Sequence, residues 1–224
     1  MRTTIISGII ACVFGLLAPQ ILQAQGTTYV SNLDQSSVGS VAVGSDSWLT
    51  EAFQTGTNPS GYVLNSIELA MTDASNNPSG FTVMLYAPAV GSLLPGSSLG
   101  TLDCSLNPVT AGIYTYTPAA TLTLFPNSPY CIVLTAGTAV ANGAYEWSYA
   151  GTSSYNPSGG WSSPPFNLGG VWTSSNGSAP WIESVSTFAQ FAVNGSPVPE
   201  PGVLSLFVLG GLLLVWRHRK PKAI

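Results

Sequence analysis

Between Gln25 and Pro197 no window of the chain sustains apolar residues at spacings of three and four, so this stretch does not encode amphipathic helices. Short runs rich in Val, Ile, Thr and aromatic residues recur instead, separated by clusters of Gly, Pro, Asn and Ser. That rhythm predicts an all-β domain, an antiparallel β-sandwich of jelly-roll-like form. Strands are expected at Thr27–Ser31, Val38–Val43, Trp48–Phe53, Tyr62–Met71, Phe81–Tyr86, Leu99–Cys104, Gly112–Thr117, Ala120–Phe125, Tyr130–Thr135, Glu146–Ala150 and Trp181–Val193.

Alternation sets the faces of three of them. Ile67, Leu69 and Met71 point one way, with Glu68 and Ala70 the other. Phe81, Val83 and Leu85 oppose Thr82, Met84 and Tyr86, and Val185, Thr187, Ala189, Phe191 and Val193 share a face. The connections "DASNNPSG" (73–80), "SLLPGSSLG" (92–100) and "LFPNSPY" (124–130) carry the residues that preset turn dihedrals. One stretch, 145–181, departs from this rhythm by gathering Trp147, Trp161, Trp172 and Trp181 among Gly, Ser and Pro, and much of it is expected to be loop.

Charge is scarce, at 6 % of residues, and its placement is more informative than its amount. The basic residues are Arg2, Arg217, Arg219, Lys220 and Lys222, so the middle of the chain holds acids and no Lys or Arg. Binding to nucleic acid rests on cations that neutralise phosphates, which excludes nucleic acid and anionic membrane surfaces as partners of this domain. Basic residues stay on the cytoplasmic side of apolar segments, so the same map predicts both ends inside and the middle exported.

The ends fit that topology. Arg2, an apolar run from Ile5 to Ala18 and the small residue Ala24 make residues 1–24 a signal peptide, whose apolar part is short for a span and is interrupted by Pro19. The exported domain is then 25–195, followed by a terminal segment, 196–224. There the apolar run from Val203 to Trp216 gives about 21 Å of helix, short of the roughly 30 Å hydrocarbon core. A single C-terminal transmembrane helix is therefore expected, either as a transient anchor or as a permanent one in the inner membrane, flanked by Arg217, Arg219 and Lys220.

The inventory removes most catalytic chemistry. The one histidine, His218, lies in the basic tail, so Ser-His-Asp and Cys-His arrangements are impossible upstream, as are histidine zinc sites. No Lys serves as a Schiff base, and no cofactor or metal site is expected. Carboxylates survive as glycosidase candidates by residue type alone: Asp34, Asp46, Glu51, Asp73 and Glu146. Their bland reading is turn capping and solubility, and the chain is expected not to be an enzyme. Cys104 and Cys131 remain in the exported part and predict one disulfide, against the alternative of two small buried groups that never meet. Trp161 and Trp172 are candidate glycan contacts, with Asn156, Asn167 and Asn176 nearby for hydroxyls, whereas Trp147 and Trp181 are expected in the core.

Two resemblances add to this. Pro199-Glu200-Pro201, the apolar run and Arg217-His218-Arg219-Lys220, in that order at the end, resemble a PEP-CTERM sorting signal. The resemblance implies a bacterial surface or exopolymer protein processed by an exosortase-type membrane enzyme, with Pro199, Glu200 and Pro201 as the sorting motif. Residues 27–193 resemble the choice-of-anchor type R family through Trp48, Phe53-Gln54-Thr55-Gly56, Ile67-Glu68-Leu69, Gly80 to Tyr86, Pro126 to Tyr130 and Tyr145-Glu146-Trp147. That family implies a location and a fold, with no catalytic residues. The expected protein is a structural or interaction component of the cell surface or extracellular matrix. The alternative is a carbohydrate-binding module of the exopolysaccharide layer, and the remote one a carboxylate glycosidase.

Overall fold

The alternation in residues 62–76 builds the longest strand of the protein, and most of the sheet is organised around it. The computed structural model describes residues 26–163, 170–185, 188–200 and 210–211. In chain order the strands are β1 (Thr27–Ser31), β2 (Ser37–Val43), β3 (Trp48–Gln54), β4 (Tyr62–Asn76), β5 (Thr82–Pro88), β6 (Pro95–Asp103) and β7 (Gly112–Pro118). They continue with β8 (Thr123–Leu124), β9 (Pro129–Thr135), β10 (Gly143–Ala150), β11 (Val171–Ser174), β12 (Ile182–Val185), β13 (Phe188–Ala189) and β14 (Phe191–Pro197). A single 3₁₀ turn, Val140–Asn142, precedes β10.

All pairings are antiparallel, in a curled sheet ordered β1-β14-β4-β7-β6-β5-β9-β3-β11-β12. β4 meets β14 along Tyr62 to Leu69 and β7 along Ile67 to Met71, and its far end pairs with β10 from Met71 to Asn76. The sheet turns its corner where β6 passes to β7 through only Leu102↔Pro118 and Asp103↔Thr117. The main core is drawn from both arms of the curl. Leu49, Phe53, Val83, Leu85, Ile132 and Leu134 come from one arm, and Ile67, Leu69, Met71, Tyr145, Trp147 and Phe191 from the other.

Two irregularities aim side chains that strict alternation would misplace. The register of β4 against β14 shifts between Asn194 and Gly195, opposite Asn65. That bulge lets Tyr62 and Leu64 point inward as well as Ile67, Leu69 and Met71. At Gln190 the chain leaves β10 for β4, and its buried amide bridges the gap. Ser148 Oγ donates to its Oε1 (2.6 Å), and its Nε2 donates to Gln35 O (2.7 Å). Asn32 completes the junction: its Nδ2 donates to Ala189 O (3.0 Å) and its Oδ1 accepts from Phe191 N (2.9 Å).

The other face of the β3-β9-β5 arm carries a second cluster of Ala52, Met84, Cys131, Val133 and Trp181, with Trp48, Tyr86, Leu94 and Trp172 packed against it. This explains why both faces of β5 are apolar. It also corrects the expected disulfide. Cys131 belongs to the outer cluster, while Cys104, just after β6, packs against the inner one. With β5 between their strands and the two thiols on opposite faces, both are free. The Cys131 thiol donates to Leu93 O (3.2 Å), and burial pushes its pKa up to about 12.

The expected signal peptide and, apart from Gly210 and Gly211, the expected C-terminal apolar helix, with Pro201, Arg217, Arg219 and Lys220, lie outside the described residues. Among the described residues no helix is long and apolar enough to cross a membrane.

Candidate functional site

The tryptophan-rich stretch is packed rather than presented. Loop 151–163 runs back along the sheet edge, with Asn156 N donating to Ser31 O (2.7 Å), Ser158 N to Tyr29 O (2.7 Å) and Ser162 N to Gln54 O (3.0 Å). Gly159 and Gly160, at φ 58° and 78°, turn the chain inward in a region that favours glycine. The turn also needs Gly56, because a Cβ there would meet Gly159 O at 2.0 Å.

Trp161 is thereby driven into the core, 2 % exposed. It stacks parallel to Tyr29 (centroids 4.6 Å) and Phe53 (5.7 Å), with Tyr62 edge-on at 4.9 Å. Trp172, on β11, is half-buried against the outer cluster, with its indole N–H enclosed and unpaired. Trp161 is therefore not available at the surface as a sugar platform, while Trp172 remains partly exposed; the rings join a long loop and a short strand to the sheet. Asn156 is spent on Asp34 (Nδ2 to Oδ2, 2.9 Å) and Asn176 on its own turn, while Asn167 lies outside the described residues. Trp147 and Trp181 are buried as expected.

The candidate carboxylates are dispersed. Asp46 accepts from Val140 N (2.8 Å), tying one connection to another, and Asp73 on β4 accepts from Ala111 N (2.8 Å) in the approach to β7. Glu146 accepts from Ser40 Oγ (2.9 Å) across β10 and β2. Glu51 faces the core between Leu49 and Phe53 and is 2 % exposed. Among the described residues its oxygens accept only Ala52 N (3.3 Å) and Ala189 N (3.4 Å), and burial holds its pKa well above the usual carboxylate range. Among the described residues no group of three or more His, Cys, Asp or Glu is disposed to hold a metal ion.

What sequence reasoning missed is a groove of about 1190 Å³ on the outer face of β1, β14, β4 and β7. The bulge at Asn65 and the outward phase of Glu68 line it with polar groups. Asn194 is only 7 % exposed and anchors the floor. Thr28 Oγ1 donates to Asn194 Oδ1, and Asn194 Nδ2 donates to Ser66 Oγ and to Glu68 Oε1 (3.0 Å each). Thr115 stands opposite Glu68 on β7. The alternation around Glu68 was the available signal, since it placed an acid on the outer face of a central strand.

One wall of the groove is the exit of the chain. Val198 N donates to Gly61 O (3.0 Å), and Asn58 Nδ2 bonds both Gly61 O (2.7 Å) and Val198 O (3.3 Å). Pro199 and Glu200, immediately beyond, are exposed. Residues 197–220 match the PEP-CTERM protein-sorting motif. The PEP-CTERM motif thus begins at the last residue of β14, and its Pro199 still lines the groove. A motif of this kind marks an exported protein for sorting by exosortase. No curated protein and no solved structure matches the chain, and no homologue supports the resemblance of residues 27–193 to the choice-of-anchor type R family.

Proposed function

We propose that the protein is a structural or interaction component of the bacterial cell surface or extracellular matrix, exported and then processed at its C-terminal segment by an exosortase-type enzyme. The observation that carries this is the PEP-CTERM match, which begins at the last strand residue and leaves Pro199 and Glu200 exposed to an enzyme while Val198 remains pinned. The apolar run 203–216 acts as a transient inner-membrane anchor, being short for a permanent one. The curled sheet is read as a jelly-roll-like sandwich that survives release as a unit, because its inner core is closed by the Trp161 loop and, among the described residues, involves nothing beyond residue 193.

A non-enzymatic role agrees with a domain that lacks His, Lys and Arg and in which Asp46, Asp73 and Glu146 bond neighbouring segments while Glu51 is enclosed in the core. Turnover of a glycan that disappears on Asp73→Ala or Glu146→Ala would overturn that part. The direct test of the sorting reading is the intact mass of the protein recovered from cells. Loss of the residues beyond the Pro-Glu-Pro triplet is expected, and retention of the full C-terminus would mean permanent anchoring.

A further inference from the structure

We infer that the groove over β1, β14, β4 and β7 binds a neutral polyhydroxylated chain, a segment of uncharged polysaccharide. The inference rests on the interaction role proposed above and not on processing of the C-terminal segment.

Charge selects the ligand class first. No Lys or Arg exists between Thr3 and Trp216, and the groove carries Glu68, so a uronate, sulfate or phosphate polymer would meet a carboxylate with no cation to offset it. Hydrogen-bond capacity narrows it further. The floor is held in place before any ligand arrives: Asn194 is buried and its amide is committed to Thr28, Ser66 and Glu68. The groups that remain open face the groove. Glu68 Oε2 and the Thr115 hydroxyl take no partner among the described residues, and Ser66 Oγ accepts from Asn194 but donates to none of them.

Together these offer a charged acceptor beside hydroxyls able both to donate and to accept, which suits vicinal hydroxyls on a sugar ring. Val63, Pro118 and Ala120 supply apolar surface for the C–H faces of the same rings. At about 1190 Å³ the groove exceeds the roughly 300–1,000 Å³ of compact small-molecule pockets, so it accommodates several units of a chain. Orientation of the floor in advance lowers the ordering cost of a weakly bonded ligand.

The test is affinity electrophoresis of the full chain in non-ionic detergent. Native gels contain dextran, a β-1,3-glucan, galactomannan or the neutral polysaccharide of the producing cells, with alginate and an empty gel as comparisons. At least one neutral gel is expected to retard the protein and alginate to leave it unmoved. Thr115→Trp, which places a bulky ring in the groove from an exposed position, is expected to abolish the retardation, and the near-isosteric Glu68→Gln to weaken it by about tenfold. Val90→Trp, on an exposed turn elsewhere, serves as the surface control and is expected to behave as wild type. Thermal unfolding of each variant confirms folding. No retardation in any neutral gel, retardation in alginate, or retardation that survives both groove variants would overturn the proposal. A mobility change with Thr115→Trp in the empty gel would assign the face to a second copy of the chain and overturn it too. None of these outcomes alters the mass of the processed protein, so the sorting reading stands or falls separately.

Discussion

Glu51 places an acid in the core with no cation to meet it. Its folded-state pKa is raised by burial, while in the unfolded chain it titrates near 4.3. Below that value both states are protonated and the group contributes no pH dependence. As pH rises toward the folded pKa, the unfolded chain releases the proton and the folded one keeps it, so stability present in acid is progressively lost. One proton of difference shifts the folding equilibrium about tenfold per pH unit. Glu51→Gln keeps the shape and removes the titration, so the variant is expected to gain stability over wild type as pH rises above the unfolded-state value toward the raised folded-state one. A difference flat in pH, measured by urea denaturation, would show that the carboxyl is already charged in the fold. Trp161 argues at the same scale. Its indole fills the space between Tyr29, Phe53 and Tyr62, and Trp161→Ala is expected to cost about 3–5 kcal/mol, as for other large aromatic truncations. Loss of stability under 1 kcal/mol would mean that the loop closes without it. The sequence showed a Trp in a Gly-Ser-Pro loop, and such a loop has no periodicity from which the facing of a ring can be read.

Period-two alternation made individual elements readable wherever one face was buried. β1 matches its expected bounds, and the shared face of Ile67, Leu69 and Met71 and the opposed facing of Val83 and Leu85 against Met84 on β5 are found as expected, whereas the packing of both faces of β5 was not foreseen. Elements defined by long-range partners were not readable. β11 is four residues inside the tryptophan-rich stretch and exists because Trp172, Thr173 and Ser174 pair with Thr50, Leu49 and Trp48. The expected run Trp181–Val193 is instead divided among β12, β13 and β14, and the break between the last two falls where Gln190 leaves the ladder to bridge β10 and β4. Asn32, which bonds both Ala189 O and Phe191 N, holds that break. Asn32→Ala leaves Phe191 N buried and unpaired and Ala189 O with the longer bond from the Tyr155 hydroxyl (3.4 Å), with an expected loss of about 1–3 kcal/mol, measured by thermal unfolding. The two cysteines follow the same logic. Their separation in sequence says nothing about which face each occupies, and that facing is what prevents a bridge. Alkylation of the denatured, unreduced protein is expected to modify both Cys104 and Cys131. Recovery of a mass two protons lower and resistant to alkylation would show a bridge and a rearranged β6–β9 arm.

At the scale of the whole molecule, charge and architecture divide the chain in the same way. Every basic residue lies outside the sheet, in Arg2 or in the segment from Arg217 to Lys222, and every acid except Glu200 lies within the span of the sheet domain. A surface of hydroxyls, amides and isolated carboxylates keeps such a domain hydrated without cations, and the recognition proposed above rests on the polar groove rather than on any charged patch. The division also turns processing into a charge measurement. The full chain has an isoelectric point near 4.6 with all five bases counted. Removal of the N-terminal segment takes Arg2, and cleavage at the PEP-CTERM motif takes Arg217, Arg219, Lys220 and Lys222, leaving a product whose side chains carry acids alone. The mature protein is therefore expected to focus clearly below 4.6 and to resist trypsin throughout, even when unfolded, since no Lys or Arg remains to be cut. A product that yields small basic tryptic peptides from residues 218–222 has kept its tail. Because the domain itself offers trypsin nothing, those peptides report on the sorting segment alone.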